Sequence, residues 1–350
     1  MLIRSGKHVG DWAGNIFLPG LHYMSARKTE RNLSELFLTN VSPLYRYTKE
    51  NTQGTTKVED SLTYDMILAE QARDEERISE DLAKLSEGEQ SIEPKPQPVD
   101  IAKLRDVNYL LGNFYTIDST TTANPALFHV DEMLGKSMKI NQSKAGPKVL
   151  IFHTHSQETF KDSVPGDEGT SIVGMGKYLS DRLNELGVET MHHSGVYDII
   201  DGKLDRSKAY EKAGAAVKNI LNQNPSIEVV IDLHRDGVPE STHLVREIDG
   251  KQVARLMFFN GLSRTKTQGE LTSLPNPYLK DNLALSLQMQ LAFEELYPGF
   301  TRRIYLKGYR YNLHLMPKSL LIEAGAQTNT VEELKNAMDL LAKVLSKVLL

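Results

Sequence analysis

Three short, almost unbroken apolar runs punctuate the chain from residue 149 onward: Val149-Leu150-Ile151-Phe152, Ile227-Glu228-Val229-Val230-Ile231-Asp232-Leu233 and Ser319-Leu320-Leu321-Ile322. Runs of this kind, rich in branched and aromatic residues, are how strands buried on both faces of a parallel sheet look. Gly146-Pro147 precedes the first and Asn224-Pro225 the second, as breakers should. Between the runs the period changes to that of a helix. Residues 171 to 186 place Val173, Leu179, Leu183 and Leu186 inward with Gly187 as C-cap, and 207 to 223 form a second helix. Further strands are predicted over 188–192, 253–260 and 303–306. A helix is predicted over 276–297, with Leu283, Leu287, Met289 and Leu291 on its apolar side. The closing helix, 331 to 350, follows Thr330 with Glu333 three positions on, a capping box. Strand alternating with helix predicts an α/β fold: a mostly parallel twisted sheet flanked by helices.

Upstream the pattern weakens, and the 350-residue length exceeds one typical domain. Residues 1–100 read as an N-terminal accessory region. It holds a short helix over 33–41, an amphipathic helix over 60–85 punctuated by Met66, Ile67, Ile78, Leu82 and Leu85, and a Pro-rich linker over 86–100. Residues 101–147 form a lead-in segment, with a strand over 113–118 and a helix over 130–138, and 148–350 form the catalytic domain. An apolar fraction of 40% suffices for a core, and a net charge of -5 gives no attraction to nucleic acid. The absence of cysteine excludes disulfides and thiolate zinc sites, so any metal must be held by His, Asp or Glu. No run of eighteen apolar residues occurs, and the N-terminus has neither the basic region nor the apolar core of a signal peptide. The chain as it stands reads as soluble; one trimmed of an anchor would read the same.

The candidate chemistry lies where the apolar runs stop. In open α/β sheets, sites collect at the carboxyl ends of strands. The first run continues into His153-Thr154-His155-Ser156-Gln157-Glu158, the second into His234-Arg235-Asp236-Gly237, and the third into Glu323. His155 and Glu158 can point at one cation, and a histidine from a neighbouring strand completes the three ligands of a catalytic zinc. The expected constellation is His155, Glu158 and His234 around Zn2+, with Glu323 as base and later acid. Alternatives stay open at several positions. If the first strand stays extended, His153 and His155 share a face, and either could ligate while the other serves substrate. Glu168, ahead of the first helix, competes with Glu158. Glu323 could instead be a structural carboxylate. Arg235 and Asp236 could hold substrate, orient His234 or form a plain salt bridge. Asn282, Tyr311 and Asn312 are candidates for holding a peptide, and the long polar stretch 261–277 for a substrate wall or lid. His192, His193, His243 and His314 are assigned no part in the metal site.

Four segments also carry a resemblance: His-Thr-His-Ser-Gln-Glu-Thr-Phe (153–160), Asn-Pro-Ser-Ile-Glu-Val-Val-Ile-Asp-Leu-His-Arg-Asp-Gly (224–237), Tyr-Pro-Gly-Phe-Thr-Arg (297–302) and Ile-Glu-Ala-Gly-Ala-Gln-Thr-Asn-Thr (322–330). Over most of residues 146–348 the chain resembles the stage II sporulation protein P family of endospore-forming bacteria. The resemblance implies an amidase or zinc exopeptidase-like fold and a zinc-dependent N-acetylmuramoyl-L-alanine amidase, with crosslink endopeptidase activity, degrading septal peptidoglycan during engulfment. It favours Glu158 over Glu168, since the motif includes it. It also implies partnership with stage II sporulation proteins D and M. A membrane anchor near the N-terminus of the full protein would place the domain outside the cytoplasm, on the outer forespore membrane, and its absence here is attributed to truncation. Two other functions are weighed: a zinc carboxypeptidase, which needs an arginine for a free substrate carboxylate, with Arg235, Arg255 and Arg310 as candidates, and a non-catalytic wall-binding or scaffolding protein.

Overall fold

The computed structural model describes residues 99–350, so the readings for 33–41, 60–85 and most of the Pro-rich linker fall outside it. Seven strands build the central sheet. In chain order they are β1 (Tyr115–Ile117), β2 (Val149–Phe152), β3 (Thr190–His192), β4 (Val229–Asp236), β5 (Leu256–Gly261), β6 (Ile304–Lys307) and β7 (Ser319–Ala326). They lie in the order β1-β6-β5-β7-β4-β2-β3. Every pairing is parallel except β5 with β7. The flanking helices include α1 (Val130–Gly135), α2 (Ile172–Glu185), α3 (Ala209–Gln223), α4 (Leu279–Leu296) and α5 (Val331–Leu349). This is the mostly parallel sheet with flanking helices that the sequence predicts.

Alternation along the strands divides the interior into two layers. Val149, Ile151, Val229, Ile231 and Leu233 join Ile172, Leu179, Leu283 and Leu341 in the larger core, under α2, α4 and α5. Leu150, Phe152 and Val230 pack on the opposite face with Ala213 and Val217 of α3. Both faces are covered, which is why these strands are apolar without alternation. α5 begins with the predicted capping box: Thr330 Oγ1 accepts from Glu333 N at 3.3 Å, and Glu333 Oε2 accepts from Thr330 N at 3.0 Å. The segment 101–147 supplies α1 and the edge strand β1, which pairs with β6.

The elements differ from expectation at several ends. Asn113 and Phe114 finish a helix, Val107–Phe114, and strand geometry begins only at Tyr115. Leu186 is 39% exposed because α2 closes at Glu185 and the chain turns away at Gly187, whose φ of 81° lies in the left-handed region. The single strand predicted over 253–260 is broken at Arg255: Lys251–Ala254 forms a hairpin with Val245–Ile248, and β5 begins at Leu256. Arg255 donates to the carbonyls of Phe300 and Thr301, at 3.1 and 3.2 Å, and so holds the bend. The stretch 261–277 is packed rather than free. It contains a small hairpin, buries Leu271 and Leu274, and is tied down by Asn276 Nδ2 donating to Gly261 O at 3.0 Å and Arg310 Nη1 to Pro275 O at 3.2 Å.

Candidate active site

β7, β4 and β2 are parallel neighbours, so their carboxyl ends share one edge of the sheet. Glu323 stands opposite His234 in the β7–β4 register. Asp232 and His234 are two apart on β4 and therefore share its α3 face. β2 ends at Phe152, and the turn that follows carries His155 and Glu158 into the same place. The His155 ring lies 5.2 Å from that of His234, nearly perpendicular, and 5.6 Å from that of Tyr210 in α3. Glu158 Oε2 is 3.9 Å from His234 Nδ1 and accepts from the backbone N–H of Arg235 at 2.9 Å. Arg206 Nη2 reaches Glu158 Oε1 at 3.4 Å. His155, Glu158, His234 and Glu323 are all buried.

One carboxylate that the sequence reading did not assign organises this cluster. Asp232 Oδ1 lies 2.8 Å from His234 Nε2, and Thr154 donates to Asp232 through its backbone N at 2.9 Å and its hydroxyl at 2.6 Å. Burial would push the Asp232 carboxyl up, but the charge and hydrogen bond of His234 and those of Thr154 hold it below the usual range. Burial alone would likewise lower His234; the charge and hydrogen bond of Asp232, then Glu158 and Glu323, reverse this and raise it to about 10. Asp232 thus turns the imidazole so that Nδ1 faces Glu158, as outer carboxylates commonly do for ligating histidines.

His153 and His155 do not share a face. Had β2 continued, both would have pointed toward α2; the strand stops at Phe152, so only His153 does. Its Nδ1 meets Leu233 O at 2.8 Å and its Nε2 meets His192 Nε2 at 3.0 Å. Burial, then the neighbouring His192, hold it down to about 3. The structure therefore brings His155, not His153, to the cluster, and Glu158 rather than the exposed Glu168. Of the three readings of Asp236, substrate contact, orientation of His234 or a plain salt bridge, the structure shows the salt bridge: Asp236 is buried and paired with Arg302 Nη1 at 2.6 Å, and Asp232 lies against His234 instead. Arg235 contributes its amide, while its guanidinium turns back to Asp236 O at 3.2 Å.

The three residues expected to hold a peptide are engaged with the chain itself. Asn282 is buried, donating to Leu313 O at 2.6 Å and accepting from Ser319 N at 2.9 Å. Tyr311 is fully buried against Phe259 and Tyr210. Asn312 Nδ2 donates to Tyr210 O at 2.8 Å and so steadies the residue that packs on His155. Tyr311 and Asn312 both have left-handed backbones, φ 47° and 58°, a strained arrangement held by this packing.

Two imidazoles and a carboxylate are a donor set that suits zinc. Among the described residues no three such side chains already form a cation site. The 3.9 Å from His234 Nδ1 to Glu158 Oε2 exceeds the roughly 3.4 Å between two tetrahedral zinc ligands, so the donors are gathered but not drawn in. Their type, burial and outer-carboxylate support fit the ion.

Comparison with known proteins gives the family. The profile of the stage II sporulation protein P family matches residues 31–346. The chain belongs to this family. A member from Bacillus subtilis (strain 168), stage II sporulation protein P, is 25% identical over 215 residues, covering 57% of this chain and 50% of that protein, so the chain spans about half the length of the curated relative. Among solved structures, the N-acetylmuramyl-L-alanine amidase Ami1 of Mycobacterium abscessus aligns with 59% of this chain and 98% of its own, at 17% identity and a TM-score of 0.33. The catalytic domain of the N-acetylmuramoyl-L-alanine amidase CwlV of Bacillus (Paenibacillus) polymyxa var. colistinus aligns with 57% and 94%, at 13% identity and a TM-score of 0.33. Among the described residues of this family member, no helix is long and apolar enough to cross a membrane.

Proposed function

We propose that this protein is a zinc-dependent peptidoglycan hydrolase of sporulation, an N-acetylmuramoyl-L-alanine amidase that cuts the amide between the lactyl group of muramic acid and L-alanine, with crosslink endopeptidase activity as a second capacity. The observation that carries this is the convergence of His155, Glu158, His234 and Glu323 at the carboxyl edge of β2, β4 and β7. Membership of the sporulation family supports the setting. In this reading His155, Glu158 and His234 hold zinc, which supplies Lewis acidity, polarising the scissile carbonyl and bringing the pKa of a water to about 7. Asp232 stands 2.8 Å from His234 Nε2, which leaves Nδ1 as the nitrogen for the metal. Glu323 takes a proton on a carboxylate oxygen and returns it to the departing amine nitrogen. Burial keeps bulk water from these groups and strengthens each charge interaction.

The catalytic domain of this reading is residues 148–350, with 101–147 contributing its edge strand and 1–100 an accessory region. Stage II sporulation proteins D and M are the partners inferred, and a membrane anchor in the longer protein is inferred to place the domain outside the cytoplasm. Both rest on family likeness. The test is zinc content with product analysis. Wild type should carry one zinc and release stem peptides from peptidoglycan, identified by mass spectrometry, and His234→Ala should do neither. Zinc-free wild type that releases nothing would refute the proposal, whereas Glu323→Gln that keeps zinc and wall binding but loses release would exclude a mere wall-binding role.

A further inference from the structure

Arg206 lies at the site, beside Glu158, without a part in the proposed metal set or proton transfer. It sits in the short connection between the hairpin Ile199–Leu204 and α3, where the sequence has no periodic signal. Its side chain is 22% exposed, so the guanidinium is at the rim of the buried cluster, reachable from outside. One nitrogen touches Glu158 Oε1 at 3.4 Å, the long end of hydrogen bonding. Its Nε is buried and has no hydrogen-bond partner. A guanidinium carries five donors in a planar fork, and a buried donor without a partner is costly. Holding Glu158 employs only Nη2, on Oε1, while Arg235 N serves Oε2, so the contact with Glu158 leaves the rest of the fork unused.

The segment that carries Arg206 is fixed to the turn that carries Glu158. Asp198, fully buried, accepts from Ser156 Oγ at 2.8 Å and from Gln157 N at 3.1 Å, and its carbonyl accepts from Asp205 N at 2.8 Å. Arg206 is therefore set in place beside the cluster before any ligand arrives. The other arginines named as carboxylate binders are engaged elsewhere. Arg235 also has a buried Nε without a hydrogen-bond partner, but its Nη1 is turned back on its own strand, and Arg255 and Arg310 hold backbone carbonyls of structural turns.

We propose that Arg206 is the specificity residue of the site and binds a carboxylate of the substrate's peptide through its outward guanidinium edge, the fork geometry that carboxylates favour. The inference rests on the hydrolase reading for the substrate class, a wall peptide. Two carboxylates could meet it: that of the residue following the scissile amide's alanine, or that at the C-terminus of the stem.

The test measures binding by calorimetry to the full chain loaded with zinc, in the Glu323→Gln background so that nothing is cleaved, using a muropeptide in three forms: free acid, amidated at the inner carboxylate, and amidated at the stem C-terminus. Arg206→Ala should weaken the free acid by roughly tenfold or more, with zinc content unchanged. It should also abolish the discrimination between the free acid and one of the amidated forms, and that form identifies the source. Arg206→Lys, which keeps the charge without the fork, should recover part of the affinity. Equal weakening of all three forms, or loss of zinc from Arg206→Ala, would overturn the proposal and leave Arg206 as a prop for Glu158. Muropeptide binding that obeys this pattern in a protein without zinc or hydrolysis would refute the hydrolase reading while sustaining this one.

Discussion

Replacing Asp236 by alanine should destabilise the domain rather than disable its chemistry. Asp236 closes β4, two residues past His234, and its carboxylate meets Arg302 Nη1 at 2.6 Å with side chains 1% and 7% exposed. Arg302 is also held by its backbone N–H, which donates to Leu256 O at 2.8 Å. The pair thereby joins the end of β4 to the start of β5 and to the chain leaving α4. Truncating one member of such a pair leaves the other charge buried and unpaired, which costs about 3–5 kcal/mol. At about 2–4 °C per kcal/mol for a domain of this size, the melting temperature should fall by roughly 6–20 °C. Thermal unfolding by circular dichroism of Asp236→Ala measures the fall. Asp236→Leu combined with Arg302→Met should recover much of it, because an apolar pair of similar volume removes both desolvation penalties. Zinc content and peptide release at a temperature well below the transition should stay near wild type. A variant that melts normally but has lost release would refute this argument and return Asp236 to the substrate.

Three further outcomes follow from the same geometry. His153, His192 and His314 are held down to about 3, about 4 and about 3, each chiefly by burial; the unfolded chain takes up their protons first, so their stability contribution is present above pH 6.5 and lost as pH falls toward 3, at up to about 1.4 kcal/mol per pH unit each. Melting temperatures from pH 7 to 4 check this, and His314→Gln should flatten the decline. Gly176→Ala should disturb α2 and the His153–His192 pair, since its Cβ would lie 2.3 Å from His153 Nε2 and 2.9 Å from His192 Nε2; the overpacking should cost about 1–3 kcal/mol, read by denaturant unfolding, with zinc retained. Because Asp232, then Glu158 and Glu323, favour a proton on His234, zinc must compete with that proton; apparent zinc affinity should rise with pH from 6 to 8 in chelator competition, and Asp232→Asn should flatten the slope.

What was legible in the chain and what was not divides along the range of the forces involved. Three apolar runs identify β2, β4 and β7 because burial on both faces leaves no alternation, and the abrupt polar residues at their ends mark the sheet edge where His155, His234 and Glu323 meet. Which of His153 and His155 enters the cluster depends on whether the strand continues for two residues, and strand ends are set by tertiary packing rather than by composition. Asp232 left a signal that went unread: a carboxylate inside an otherwise apolar run is too costly to bury without a partner, and the histidine two positions on is on the same face. Asp236 shares that face and invited the same role, but Arg302 lies 66 residues away and its arrival has no local trace. Asp198 and Arg206 come from a connection without periodicity, joined to the turn at 156–158 by hydrogen bonds that only the assembled fold can form, while Tyr210, on the predicted helix, meets His155 by ring contact. The strands fix where the chemistry lies, and this aperiodic segment decides which charge faces what enters. Specificity of this site should therefore change through substitutions in 197–210 that leave the sheet and its metal donors untouched.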